Sequence, residues 1–162
     1  MTRLRSKPRT PHGQLTRMAM RWPKLEPQIL EKGPMILWRS PLRGFQRDYL
    51  VQVQWAWLDE KTPPFVFILG PTIRPRDSEE YVDIPHLNFN SEKPKDSALC
   101  LFDPDTGEWD NTNLIADTTV VWASEWLHHY ELWHVTGEWH GPNAPGPISA
   151  GEMQRVEVNS DA

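Results

Sequence analysis

The chain has one cysteine, Cys100, among 162 residues. A lone thiol excludes a disulfide framework and fits a reducing compartment, so the cytosol is the expected location. With no partner cysteine, Cys100 is either inert packing or a reagent. Long apolar runs are missing too: nothing approaches the roughly 20 apolar residues that a membrane-spanning helix needs. The charged start from Met1 to Arg9 leads into no apolar segment and does not read as a signal peptide. Neither Gly-x-x-x-x-Gly-Lys nor Gly-x-Gly-x-x-Gly occurs, so the common phosphate cradles are absent and no nucleotide or other cofactor is expected. The chain ends Ser160-Asp161-Ala162 without Gly-Gly, so it does not read as a conjugated donor itself.

Acidic residues are scarce in one part of the chain only. Residues 1–47 carry eleven Lys/Arg against two Asp/Glu, whereas residues 48–162 carry six against twenty. The first part reads as a solvated basic arm and helix, or as a surface for an acidic partner. Nucleic acid is not expected as a partner. No recognition motif accompanies the basic residues, and the acidic body would repel phosphates.

What is present suggests one domain of ordinary size, with enough chain to hide roughly two-thirds of its unfolded surface. Residues 1–13 read as a disordered basic arm and residues 142–162 as a disordered tail rich in Pro and Gly. Between them, Leu15, Met18, Ala19 and Trp22 recur at helical spacing until Pro23 stops the pattern. Three strand-like runs follow: Met35 to Arg39, Tyr49 to Leu58 and Phe65 to Leu69. In the second, Tyr49, Val51, Val53, Trp55 and Trp57 share one face and Gln52 and Gln54 the other. Short, turn-rich joints favour an antiparallel meander. Thr72 to Asp110 is irregular and acidic, with short apolar pieces at Tyr81 to Ile84 and Ala98 to Phe102; so long a stretch is usually functional. From Leu114 to about Val135 an aromatic stripe (Trp122, Trp126, Tyr130, Trp133) marks a long helix. Thr112 or Asn113 is expected to cap its start and Gly137 its end. Four of the nine Trp lie between Trp122 and Trp139, and the stripe reads as core rather than as a stacking platform.

A nucleophilic cysteine needs a base or a depressed pKa, and donors for the oxyanion formed on attack. Cys100 stands between Leu99 and Leu101, after a polar loop and before the turn Asp103-Pro104-Asp105-Thr106-Gly107. Upstream, Pro85-His86-Leu87-Asn88 supplies an imidazole for proton transfer and an amide able to donate to an oxyanion. Asp83 and Asp103 are both candidates to orient His86.

The order of these elements resembles the ubiquitin-conjugating domain, whose pattern is His-Pro-Asn, then Ile-Cys-Leu-Asp, then Trp. His86 and Asn88 match the ends of the tripeptide, Cys100 the thioester-forming cysteine and Trp109 the tryptophan, while Leu87 replaces the family's proline and the Asn88-to-Cys100 interval is longer. A bacterial branch is more similar still: Ile84-Pro85-His86, Leu99 to Phe102, Glu108-Trp109 and Trp122 through Gly141 follow its Trp-rich pattern almost position for position. The resemblance covers about residues 15–141 and implies an α+β, ubiquitin-conjugating (UBC-like) fold over 14–141: N-terminal helix, antiparallel strand meander, active-site loop with the cysteine, long C-terminal helix. It also implies antiphage defence of the CBASS kind, in which the C-terminus of a cGAS-like nucleotidyltransferase partner is conjugated to a target amine through Cys100.

Loading then has two routes. A separate activating enzyme hands over the acyl group, or Cys100 attacks a peptide bond near the partner's C-terminus, with His86 as base and proton donor. Two other functions stay open: a non-catalytic adaptor in which Cys100 is structural, and a cysteine protease-like hydrolase. His128, His129, His134 and His140 do not follow a standard metal-ligand spacing, and no metal is expected.

Overall fold

The computed structural model describes residues 7–31, 33–103, 107–141 and 154–157. Helix α1 (Pro11–Arg21) precedes strands β1 (Glu26–Leu30), β2 (Met35–Arg43), β3 (Asp48–Trp55) and β4 (Phe65–Gly70). After a 3-10 turn at Tyr81–Asp83 come two short strands, β5 (Leu87–Asn88) and β6 (Ala98–Leu99), and finally helix α2 (Thr119–Thr136). All pairings are antiparallel, in the order β1-β2-β3-β4-β6-β5. The architecture is therefore α+β, with an antiparallel sheet and a long helix towards its C-terminal end.

Helix α1 begins three residues before the expected Gln14. Thr10 Oγ1 accepts the Gly13 N–H at 3.0 Å, and Pro11 occupies the first turn, where a missing N–H costs nothing. Just before it, Arg9 N donates to Asn111 O (2.7 Å) and Arg9 Nε to Thr112 O (2.9 Å). Residues 1–6 lie outside the described residues. Buried Gln14 bridges to the start of the last helical region, donating to Asn113 O and accepting from Ile115 N, both at 2.9 Å. Arg17 and Arg21 both hold Asp117, so part of the basic surplus is used inside the fold.

Those contacts explain why the last helix starts late. Gln14 takes the Ile115 N–H and Trp22 Nε1 donates to Ala116 O at 2.8 Å, which holds Ile115–Asp117 in a 3-10 turn. Regular α-helix begins only at Thr119. Neither Thr112 nor Asn113 caps it; Asn113 Oδ1 instead accepts from Asp110 N at 2.9 Å. The other end is as expected: Gly137 adopts φ +82° and donates to Trp133 O at 2.8 Å, a left-handed cap that few other residues tolerate.

Strand β1 escapes the sequence pattern because it is an exposed edge containing Pro27, with no buried face to impose alternation. Along β2, β3 and β4, Ile36, Trp38, Val51, Val53, Val66 and Ile68 form the core with Val120, Ala123 and Leu127 of α2. The loop joining β2 to β3 is clamped onto α2 by Glu131, which accepts from Phe45 N (2.6 Å), Gln46 N (2.9 Å) and Tyr49 Oη (2.9 Å). Burial and this carboxylate together push the Tyr49 phenol far above its ordinary pKa. Glu131→Ala is expected to cost roughly 2 kcal/mol, since it removes one charged acceptor from three donors. The check is a lower urea midpoint at unchanged m.

On the opposite face of the sheet a short piece of the C-terminal segment lies against β3. Residues 154–157 lie across β3: Gln54 Nε2 donates to Gln154 O (2.8 Å), Gln52 Nε2 to Val156 O (3.0 Å), and Val156 N donates to Gln54 Oε1 (3.0 Å). Gln52 and Gln54 are fully buried as a result. Arg155 pairs with Asp96 at 2.8 Å, both side chains at most one-fifth exposed. Residues 142–153 and 158–162 lie outside the described residues. Arg155→Ala, which leaves a largely buried carboxylate without this cation, is expected to destabilise the fold by roughly 1–3 kcal/mol. Thermal melts of the variant, and of the double variant with Asp96→Asn, check this; the second change should recover part of the loss.

Candidate active site

The cysteine and the histidine meet because two very short strands pair. In the β5–β6 ladder Leu87 faces Leu99 and Asn88 faces Ala98, and the next bond along joins Cys100 N to His86 O at 2.9 Å. That carbonyl also accepts Trp126 Nε1 of α2 at 2.8 Å. His86 itself sits at φ +51°, a conformation uncommon for a residue with a side chain and found where surrounding contacts over-determine it. Two hydrogen bonds to one carbonyl supply that constraint.

Both side chains open onto one cavity of about 340 Å³. Its other walls come from elements on either side. Leu101, Phe102 and Glu108 belong to the segment after Cys100. Trp122, Glu125, Trp126 and His129 are spaced i, i+3, i+4 and i+7, one face of α2. Trp139 closes the far side. Its ring centroid lies 5.0 Å from that of His86, 5.5 Å from Trp126 and 5.7 Å from His129. The Gly-x-Trp-x-Gly run explains how it gets there. Gly137 ends the helix and lets the chain turn. Gly141 then passes close to both rings: a Cβ added there would lie 2.6 Å from Trp139 Nε1 and 2.8 Å from His129 Cδ2.

The electrostatics favour neutral partners. Burial raises the Cys100 thiol above its ordinary pKa, and the charges of Asp103 and Glu108 push it further. Burial lowers the His86 pKa, and His129 nearby lowers it again. At neutral pH the site therefore holds a thiol and a basic imidazole rather than a thiolate–imidazolium pair.

The remaining candidates are placed as follows. Asp103 is near enough for its charge to act on the thiol. Asp83 is exposed and caps its own 3-10 turn, accepting from Glu80 N at 2.8 Å. Asn88 is buried and does not line the cavity; its amide nitrogen donates to Leu99 O at 3.5 Å. Trp109 packs in the core beside Phe102, ring centroids 6.5 Å apart. Sequence reasoning missed Glu108, Glu125, His129 and Trp139 as cavity residues. The signal for the first helical pair was available, because Glu125 and His129 share a face with Trp122 and Trp126; that stripe was read as core alone. Trp126 is indeed buried, yet it and half-buried Trp122 also wall the cavity. Among the described residues no group of three His, Cys, Asp or Glu is placed to hold a metal ion, and no helix is long and apolar enough to cross a membrane.

An antiparallel sheet, a long helix towards the C-terminal end and a lone thiol beside an imidazole define an α+β protein with a cysteine–histidine cavity. The model of the type II CBASS E2 protein family matches residues 14–147, most of the chain, and the chain belongs to that family. Membership places it in CBASS antiphage defence as an E2-like protein. No curated protein matches it.

Proposed function

We propose that this protein is a cysteine-dependent acyl transferase with the ubiquitin-conjugating fold. In this reading Cys100 takes the C-terminal acyl group of a cGAS-like nucleotidyltransferase as a thioester and passes it to a target amine. The observation that supports the reading is the β5–β6 ladder, which is continued by the bond from Cys100 N to His86 O and brings both residues to the lining of one cavity. On the direct route Sγ attacks the carbonyl carbon of a peptide bond in the partner's tail. His86 takes the S–H proton and returns it to the departing amine, so the C–N bond breaks as the C–S bond forms. With an activating enzyme, the acyl group moves from that enzyme's sulfur to Sγ and His86 carries only the thiol proton. Asp103 is the carboxylate we assign to orienting His86, because Asp83 is engaged in its own turn. Asn88 in this scheme steadies the strand that carries Cys100, or donates to the oxyanion after a loop movement.

The burial of Cys100, 9% exposed, favours a second reading, an adaptor in which the thiol is packing. Intact masses of the protein co-expressed with a CBASS nucleotidyltransferase, recorded without reductant, separate the two. A thiol-labile adduct is expected, and its mass tells whether the partner's tail was trimmed before transfer. A stoichiometric complex with no covalent species supports the adaptor. A trimmed partner with a free carboxylate and no isopeptide points to a hydrolase.

A further inference from the structure

The face of the sheet turned away from α2 carries side chains that a solvated face would not. Val51 and Val53 of β3 join the core under α2, so Gln52 and Gln54 between and beside them point the other way. Gln52 pairs with Phe67, and Phe67 with Ala98, which puts all three on one side. Phe67 and Ala98 cluster with Phe65 apart from the main core, and all are buried. On this face residues 154–157 are held by their backbone. Two carbonyls and one N–H of the segment meet the side-chain amides of Gln52 and Gln54, and Gln52 Nε2 also donates to Gln54 Oε1 at 3.2 Å. Main-chain bonds give an extended peptide its affinity for a protein surface, and side-chain contacts add the selectivity. Here the selective contact is Arg155 on Asp96. Just beyond it, Glu157 lines a cavity of about 370 Å³ together with Arg39 and Lys95.

Asp96 connects this docking to the active site. It ends the turn Pro94–Asp96, and β6 begins two residues later and leads straight into Cys100. Strand β6 is only two residues long, with one paired residue on β4 and two on β5. So short a ladder leaves the sulfur dependent on further ties, and a misplacement of roughly 1 Å can cost about a hundredfold in rate. The side chains of Asn90 and Ser97 make hydrogen bonds only within residues 90–97. Among the described residues, Asp96 is the one in that segment whose side chain hydrogen-bonds outside it.

We infer that the sheet face over β3 is a peptide-binding groove taken by this chain's own residues 154–157, and that the docked segment, through Arg155 and Asp96, holds the strand that presents Cys100. Both are positioning residues, since neither lines the cysteine cavity. The docking is independent of the reaction, whereas its effect on rate rests on the acyl-transfer reading.

The test reverses one charge in the full-length protein. Arg155→Glu sets two carboxylates against each other, and it is studied at a temperature where melts show it folded. The side-chain amide resonances of Gln52 and Gln54 should move. So should the Cys100 amide and the Trp126 indole N–H, the two donors on the His86 carbonyl. A lower melting temperature with those last two resonances in place would mean a role in stability alone and overturns the positioning. Combining Arg155→Glu with Asp96→Arg should return all four resonances towards wild type. A synthetic acetylated peptide of residues 150–162, added to the Arg155→Glu protein, should do the same, and a peptide carrying Arg155→Glu should not. No shift with the first peptide overturns the groove, and equal shifts with both overturn the selective role of Arg155. Thioester formation should slow about tenfold in Arg155→Glu and recover in the charge-swapped double variant; an unchanged rate overturns the positioning. If wild type forms no thioester, the acyl-transfer reading fails, while the resonances still decide whether the segment docks and holds the strand.

Discussion

Cys100→Ala is expected to lower transfer of the partner's acyl group to an amine by more than about 10⁴-fold while leaving the fold intact. The sulfur is the sole thiol in the chain, so no neighbour can stand in for it. Folding should survive because the surroundings of Cys100 are fixed by other groups. Its N–H is held by His86 O, Leu99 before it is buried, and the His86 carbonyl has a second donor in Trp126. Removing one small side chain from such a site costs on the order of 1 kcal/mol. Cys100→Ser separates chemistry from packing further. Serine preserves the shape, and its hydroxyl either traps the acyl group as an ester stable to thiols or fails to load. Intact mass with and without reductant reads the wild type and both variants, and circular dichroism melts confirm that each is folded. Alkylation rates do not discriminate here. A thiol with a raised pKa reacts slowly with iodoacetamide at neutral pH whether it is an acyl carrier or packing. An alanine variant that still yields a covalent adduct would remove Cys100 from the mechanism.

On the acyl-transfer reading, the same raised pKa would suit a carrier that has to wait for its acceptor. With Asp103 and Glu108 disfavouring negative charge on sulfur, the thioester sulfur is a poorer leaving group towards water than an exposed thiolate would be.

How much of this was legible in the sequence depends on the range of the interactions. The order of elements and the Gly137 cap are local or carried by a motif and appear as expected; the motif also named His86 and Cys100, whose backbones are joined by one hydrogen bond. Strand β1 has no buried face and therefore no periodic signature. The late start of α2 comes from Gln14 and Trp22, about a hundred residues upstream, which claim a backbone N–H and a carbonyl that a longer helix would use. The tail is a similar case. Gln52 and Gln54 read only as the other face of one strand, and nothing near them in sequence announces that residues 154–157 will lie against them. The cavity wall was hidden for a different reason. Helix α2 is apolar on its core face and aromatic on the face beside it, so Trp122 and Trp126 blend into a single hydrophobic stripe. Only Glu125 and His129, at the same spacing, mark where the buried face ends and the cavity begins.

His86→Ala is expected to slow thioester formation by about 10²–10⁴-fold, the usual worth of a positioned general base, and to change the pH profile in a way that a structural role would not. In wild type the base must be unprotonated. Burial and His129 place the His86 pKa below its ordinary 6.5, so the loading rate should rise through a pKa below that value and be flat across neutral pH. Without His86, loading depends on the small thiolate fraction. Burial, Asp103 and Glu108 place the thiol above 9.0, so the variant's rate should climb about tenfold per pH unit through neutrality and beyond. The two curves then converge at alkaline pH. A residue that only braces the loop would instead lower the whole profile without tilting it. Since the His86 carbonyl accepts from Cys100 N and from Trp126 Nε1, alanine keeps both of these bonds. Its methyl must still accept φ +51°, a strain that histidine bears as well, so melts of the two proteins should agree within a few degrees. Parallel profiles, with the variant merely slower, would assign proton transfer elsewhere. The first residue to test would then be His129, which lines the same cavity from α2 and whose Nδ1 is buried with no hydrogen-bond partner among the described residues.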